Sequence, residues 1–130
     1  MAERTSSGFG RLLITVYGIF ALSATARAGV QIATRFSEAP LPYLLSALAG
    51  VVYILATIGL ARRGPGARRL AWGAVGFELA GVLIVGALSV FDAGDFPDDT
   101  VWSAFGRGYG FIPLVLPLVG LWWLWRTRPR

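Results

Sequence analysis

Residues 70–91 read LAWGAVGFELAGVLIVGALSVF, twenty-two residues carrying one charge, Glu78. A bilayer's hydrocarbon core is roughly 30 Å thick, and a helix needs about 20 predominantly apolar residues to cross it. The same signal recurs on both sides. Residues 39–61 carry no charge over 23 positions, and residues 108–125 carry none over 18. Nearer the start of the chain, the run from Leu12 to Ala33 carries one charge, Arg27. The pattern predicts an all-α, polytopic membrane protein forming one domain over residues 1–130. Its spans fall at about 12–33, 41–61, 70–91 and 111–125 in an antiparallel four-transmembrane-helix bundle. A short extracytoplasmic helix is expected between the third and fourth.

Composition agrees and narrows the chemistry. Apolar residues make up 55% of the chain and charged residues 15%, against about 25% charged in soluble chains. There is no Cys and no His. Thiolate catalysis, disulfide exchange and imidazole acid–base chemistry are therefore excluded, and no cofactor or metal is expected. The net charge of +5 comes from twelve Arg and no Lys. Most of these flank apolar runs, so they read as topology signals and not as a nucleic-acid surface. Nine Arg fall on the side that holds both termini and the segment between spans two and three, and only Arg35 and Arg107 on the other. The positive-inside rule puts both termini in the cytoplasm.

The connections are short. Gly64-Pro65-Gly66 turns the chain between spans two and three, and Glu38-Ala39-Pro40-Leu41-Pro42 breaks it between spans one and two. Only the outer segment 92–110 has room for structure of its own. Asp95-Phe96-Pro97-Asp98-Asp99 has the form of a helix start, with an Asp cap, an early Pro and acid in the first turn. A helix through about Phe105 is expected to lay Trp102 and Phe105 at the interface, ended by Gly106, Gly108 and Gly110. Asp95, Asp98, Asp99 and Arg107 are the candidate outer-loop site. Gly108-Tyr109-Gly110 shares a few residues with a potassium-channel filter, but the Thr-Val lead-in is missing and Arg107 opposes a cation. Span one also has the outline of a secretory signal, with Ala26-Arg27-Ala28 as a cleavage-like sequence.

Polar residues within the spans need an explanation. A charge at mid-bilayer costs about 2.5–3.5 kcal/mol on insertion scales. Ala74 and Gly81 share a helical face with Glu78, and Gly73, Gly76 and Ala80 adjoin it, so Glu78 is expected to face other helices. Tyr43, Ser46, Gly50, Tyr53 and Thr57 form one stripe on span two, with Tyr53 at the depth of Glu78. This stripe is expected to face the acid. Ser23, Arg27, Gln31 and Arg35 form a stripe on the outer half of span one. Glu78, Tyr53, Arg27, Gln31 and Ser46 make up the candidate intramembrane polar site. It reads either as a proton or cation site or as a hydrogen-bonded packing feature. Arg27 reads as a snorkelling residue clamping the acidic outer loop, or as the base of a pocket for an anionic headgroup or solute. Pro113 and Pro117, one turn apart, are expected to kink span four. Trp122, Trp123 and Trp125 beside Arg126 and Arg128 form an interface anchor.

Taken together, residues 11–36 (RLLITVYGIFALSATARAGVQIATRF), 37–45 (SEAPLPYLL) and 96–120 (FPDDTVWSAFGRGYGFIPLVLPLVG) resemble a family of small, uncharacterised, four-span integral membrane proteins of actinobacteria. The resemblance implies a multi-pass protein of the bacterial cytoplasmic membrane, and implies no activity. The expectation is a non-enzymatic membrane protein acting as an accessory or structural subunit. Its surroundings are the lipid bilayer, with other membrane proteins or a second copy as candidate partners. The alternative is a small proton-coupled transporter, or a solute- or lipid-binding protein, built on the buried Glu and the outward Arg. The small multidrug-resistance proteins offer a loose analogy, although their buried Glu lies in the first span. An intramembrane enzyme using Arg27 and the outer Asp residues is the third reading, and it lacks a nucleophile.

Overall fold

The computed structural model describes residues 2–92, 94, 96, 100 and 102–128, with side chains from residue 8 onward. Every regular element among them is helical. They are α1 (Ala2–Arg35), α2 (Pro40–Ala61), α3 (Pro65–Phe91) and α4 (Ile112–Arg126), with 3₁₀ turns at Phe36–Glu38 and Ser103–Tyr109. The first three helices are long and apolar enough to cross a membrane. The fourth candidate is a bent pair, Ser103–Tyr109 joined to Ile112–Arg126 at 99°. Its longer arm has 15 residues, about 22 Å at 1.5 Å per residue, which is short of a roughly 30 Å core.

Proline and glycine set the boundaries. α2 starts at Pro40, where the missing N–H costs nothing because first-turn donors have no partner inside the helix. Pro65 starts α3 in the same way, after Gly64 at φ +104°. That start lies five residues before the apolar run, so Arg68 and Arg69 belong to the helix and only residues 62–64 join α2 to α3. Polar residues continue a helix past the apolar part of its sequence without penalty, and hydropathy does not register that extension. Pro113 departs from expectation for the same reason as Pro40: it lies in the first turn of α4, where it kinks nothing, and Pro117 alone is interior.

The core joins small residues to large aromatic ones. Ala21, Ala24, Ala49, Ala56, Ala71 and Ala74 surround Tyr17, Tyr53 and Trp102. A Cβ on Gly59 would lie 2.6 Å from the Ala71 backbone nitrogen, so α2 and α3 meet nearly backbone to backbone at that level. The large aliphatic residues point outward instead, Leu22 at 74% and Ile84 at 59% exposure among them. An exterior of this kind suits hydrocarbon as the solvent and is a liability in water.

The segment between α3 and α4 departs most from expectation. Asp95, Asp98 and Asp99, where its helix was expected to start, lie outside the described residues. The described 3₁₀ turn begins only at Ser103. Ala104, Phe105 and Gly106 all adopt left-handed backbone conformations, as do Gly110 and Phe111. Trp102 does not lie at an interface: it is 1% exposed, and its ring packs where a side chain on Gly81 would stand. The backbone is held there by side chains. Trp102 N–H donates to Thr100 Oγ1 (3.1 Å) and Ala104 N–H to Ser89 Oγ of α3 (2.7 Å). Left-handed geometry costs an ordinary residue roughly 1–2 kcal/mol. Docking of Trp102 against Gly81 and of Phe105 against Gly86 offsets that cost.

Candidate functional site

Glu78 stands at the midpoint of α3, thirteen residues from Pro65 and thirteen from Phe91. It has no accessible surface. Its face of α3 is lined by Ala71, Ala74, Val75, Val82 and Val85, all buried. Small residues do flank it, but not all of those expected to. Ala74 is buried and Gly81 receives Trp102, whereas Gly73 and Gly76 have open space where a Cβ would stand. The packed face is therefore narrower than the glycine content suggests.

The acid's partner is on α1. Tyr17 donates its hydroxyl proton to Glu78 Oε1 at 2.5 Å. Tyr17 is itself without accessible surface, and a Cβ on Gly120 of α4 would stand 3.1 Å from its oxygen. The bond thus ties α1 to α3 where α4 closes over it. Tyr53, expected to face the acid, sits one step away. Its ring centroid is 6.1 Å from that of Tyr17, and its hydroxyl accepts a hydrogen bond from Trp102 Nε1 at 3.0 Å. Glu78 Oε2 is buried and has no hydrogen-bond partner. The stripe on α2 does point inward: Tyr43, Ser46, Gly50 and Tyr53 are buried and Thr57 is half-buried.

A second polar group lies toward the C-terminal end of α1. Arg27 is exposed, and its Nη1 donates to the hydroxyl of Tyr109 at 2.7 Å. The structure thus gives Arg27 a hydrogen-bond partner in the segment between α3 and α4, Tyr109, which belongs to neither the acidic cluster nor the Glu78 site. Phe20 links the two groups, with its ring 5.6 Å from Tyr53 and 5.8 Å from Tyr109. Aromatic rings so placed attract one another by about 0.5–1.5 kcal/mol beyond their burial. Arg27, Gln31 and Arg35 share an open groove of about 500 Å³ along α1. Gln31 is 3% exposed and its Oε1 lacks a partner. Arg107 is exposed on the outer turn. Asp95, Asp98 and Asp99 lie outside the described residues; of the other candidates the structure buries Glu78, Tyr53, Ser46 and Gln31 and leaves Arg27 and Arg107 exposed.

Three contributors were absent from the sequence reading: Tyr17, Trp102 as a buried group, and Tyr109. Tyr17 left a faint trace. It belongs to the row Leu13, Tyr17, Ala21, Ala24 and Ala28, spaced by four, four, three and four residues, and every member is buried. A tyrosine on the small-residue face of one span, with a lone acid on another, is a pairing the spacing permits. No family model matches the chain, and neither a curated protein nor a solved structure matches it.

Proposed function

We propose that this chain is a non-enzymatic, multi-pass protein of the bacterial cytoplasmic membrane, serving as an accessory or structural subunit of a membrane complex. The bent pair acts as the fourth span, the helices run antiparallel, and both termini are cytoplasmic. The observation that carries this reading is the enclosure of Glu78. The one carboxylate in the middle of the molecule, its Tyr17 partner and neighbouring Tyr53 have no accessible surface. A coupling site for transport must meet water from one side or the other, and a group sealed on every side meets neither. In this conformation the Tyr17–Glu78 bond fixes the packing of α1 on α3. The arginine-rich ends support the orientation, and the small-residue helix faces support a rigid core.

The absence of Cys makes the topology testable with single-cysteine variants. In intact cells a membrane-impermeant maleimide should label Ser37→Cys and leave Arg63→Cys unlabelled until the membrane is opened. The reverse pattern overturns the topology. Cross-linking followed by affinity purification from native membranes should recover one defined partner in stoichiometric amount, or a homo-oligomer. Recovery of the chain alone overturns the subunit reading.

A second reading, a small proton-coupled transporter, is favoured by one observation: the buried Glu78 Oε2 has no protein partner. Proteoliposomes given a pH gradient distinguish the two. Substrate uptake abolished by Glu78→Gln in a protein that remains folded supports transport. Uptake that Glu78→Gln leaves unchanged removes Glu78 as the coupling group.

A further inference from the structure

The inner ends of α2, α3 and α4 border a half-open cavity of about 580 Å³, lined by Arg62, Arg63 and Arg68, by Gly64 and Pro65 at the start of α3, and by Trp123. The three arginines are not equivalent. Arg68 Nη2 donates to the Leu124 carbonyl and, at 3.1 Å, to Thr127 Oγ1, so this guanidinium covers the negative end of α4. Arg62 and Arg63 are exposed. The start of α3 adds its positive end, which no side chain caps. No Asp or Glu occurs between Glu38 and Glu78, or after Asp99. Among the described residues, the three helices around the cavity therefore bring no side-chain carboxylate to its lining. The framework is stiff, because the contact of Gly59 with the Ala71 backbone locks α2 and α3 one turn away.

We infer that this cavity binds the phosphate of an anionic phospholipid headgroup. The inference rests on the membrane reading and goes beyond the subunit role. Arginine presents a planar fork of donors that matches phosphate oxygens two at a time. Trp123 places an amphipathic ring at the level where headgroups lie. The volume falls within the roughly 300–1,000 Å³ usual for small-ligand sites. Basic pockets between membrane helices on the cytoplasmic side are suited to acidic headgroups, whose leaflet is negatively charged. An anchor that only obeys the positive-inside rule needs charge alone; it needs neither a concave site nor a pinned arginine beside a helix start.

The test uses the full chain, purified in a neutral detergent and exposed to phosphatidylglycerol, phosphatidylcholine or inorganic phosphate, with bound species counted by native mass spectrometry. Each Arg near an anionic surface contributes about 1 kcal/mol, so two give roughly a ten- to thirty-fold preference for phosphatidylglycerol over phosphatidylcholine. Arg62→Gln with Arg63→Gln should bring that ratio close to one. Arg126→Gln with Arg128→Gln removes the same charge from side chains that stack on Trp122 and Trp125, and should leave it intact. Arg62→Lys with Arg63→Lys keeps the charge without the fork and should retain only part of the preference. Equal loss in both Gln pairs overturns the site in favour of diffuse surface charge. So does the absence of any preference in the parent protein. Retention of inorganic phosphate that depends on Arg62 and Arg63, without preference among the lipids, assigns the cavity to a soluble phosphate and overturns the lipid assignment.

Discussion

The middle of the molecule and its inner end handle charge in opposite ways. At mid-helix one carboxylate is enclosed, and the groups around it are bonded to one another: Tyr17 to Glu78, and Trp102 to Tyr53. At the inner end Arg62 and Arg63 border an open cavity, with no acidic side chain among its lining residues. Burial accounts for the difference. A polar group removed from water costs several kcal/mol unless the protein supplies a partner, so the interior pairs most of its polar atoms and leaves Glu78 Oε2 and Gln31 Oε1 as exceptions. Interfacial cations keep their water and are free to exchange it for an external anion. Polar residues in the middle are therefore read as structure first, and those at the inner end as recognition.

The largest expected effect breaks the interior half of that contrast. Trp102 is the bulkiest fully buried side chain, and it arrives from a connecting segment, so no helix backbone holds it in place. Trp102→Ala should remove about 3–5 kcal/mol, the cost typical of a large aromatic truncated in a core. It should also release the left-handed turn at Ala104 and Phe105, which its docking supports. Denaturant or thermal unfolding in detergent measures the first, and faster proteolysis after Arg107 reports the second. A loss under about 1 kcal/mol would mean that lipid or detergent fills the gap and that the outer segment is held by Ser89 and Thr100 alone.

Glu78 comes next, and two substitutions divide its contribution. Glu78→Ala empties the site and leaves the Tyr17 hydroxyl buried without an acceptor, a penalty of about 1–3 kcal/mol for the orphaned group. Glu78→Gln keeps an acceptor at the same position and should cost under about 1 kcal/mol, near the average of roughly 0.6 kcal/mol for polar contacts between membrane helices. If the two variants are equally destabilised, the charge itself is required, and the interior is not simply packing.

The parts of this structure legible in the sequence are those governed by solvent preference. Three helices long and apolar enough to cross a membrane, and the position of Glu78 inside the protein, follow from apolar runs and from the cost of a lone charge among them. α2 starts within one residue of the expected span and ends on the same residue. The sequence was silent where one residue fits into the space left by another. Nothing in composition marks Ala104, Phe105 and Phe111 for left-handed geometry, because such residues adopt it only under tertiary constraint. Trp102 looks like an interfacial residue until Gly81, twenty-one positions earlier, is seen to leave room for its ring. The Glu78 partner was expected on α2 by depth. Depth does not choose between two tyrosines on neighbouring helices, and the rotation of α1 decided it for Tyr17.

The smallest effect belongs to the boundary between the two regimes. Arg27 is exposed, yet it is bonded to Tyr109, so it combines an interfacial cation with an interior-style partner. Exposed hydrogen bonds exchange against water and contribute little, whereas a charged donor raises the value somewhat. A double-mutant cycle with Arg27→Gln and Tyr109→Phe should give a coupling energy of about 0.5–1 kcal/mol. That is comparable to or below the cost of Glu78→Gln and far below that of Trp102→Ala. A coupling above about 2 kcal/mol would place Arg27 with the interior, as a clasp holding the outer turn against α1. A coupling indistinguishable from zero would place it with Arg62 and Arg63, as a cation whose bond in the structure is one of several it makes in turn with water, lipid and protein.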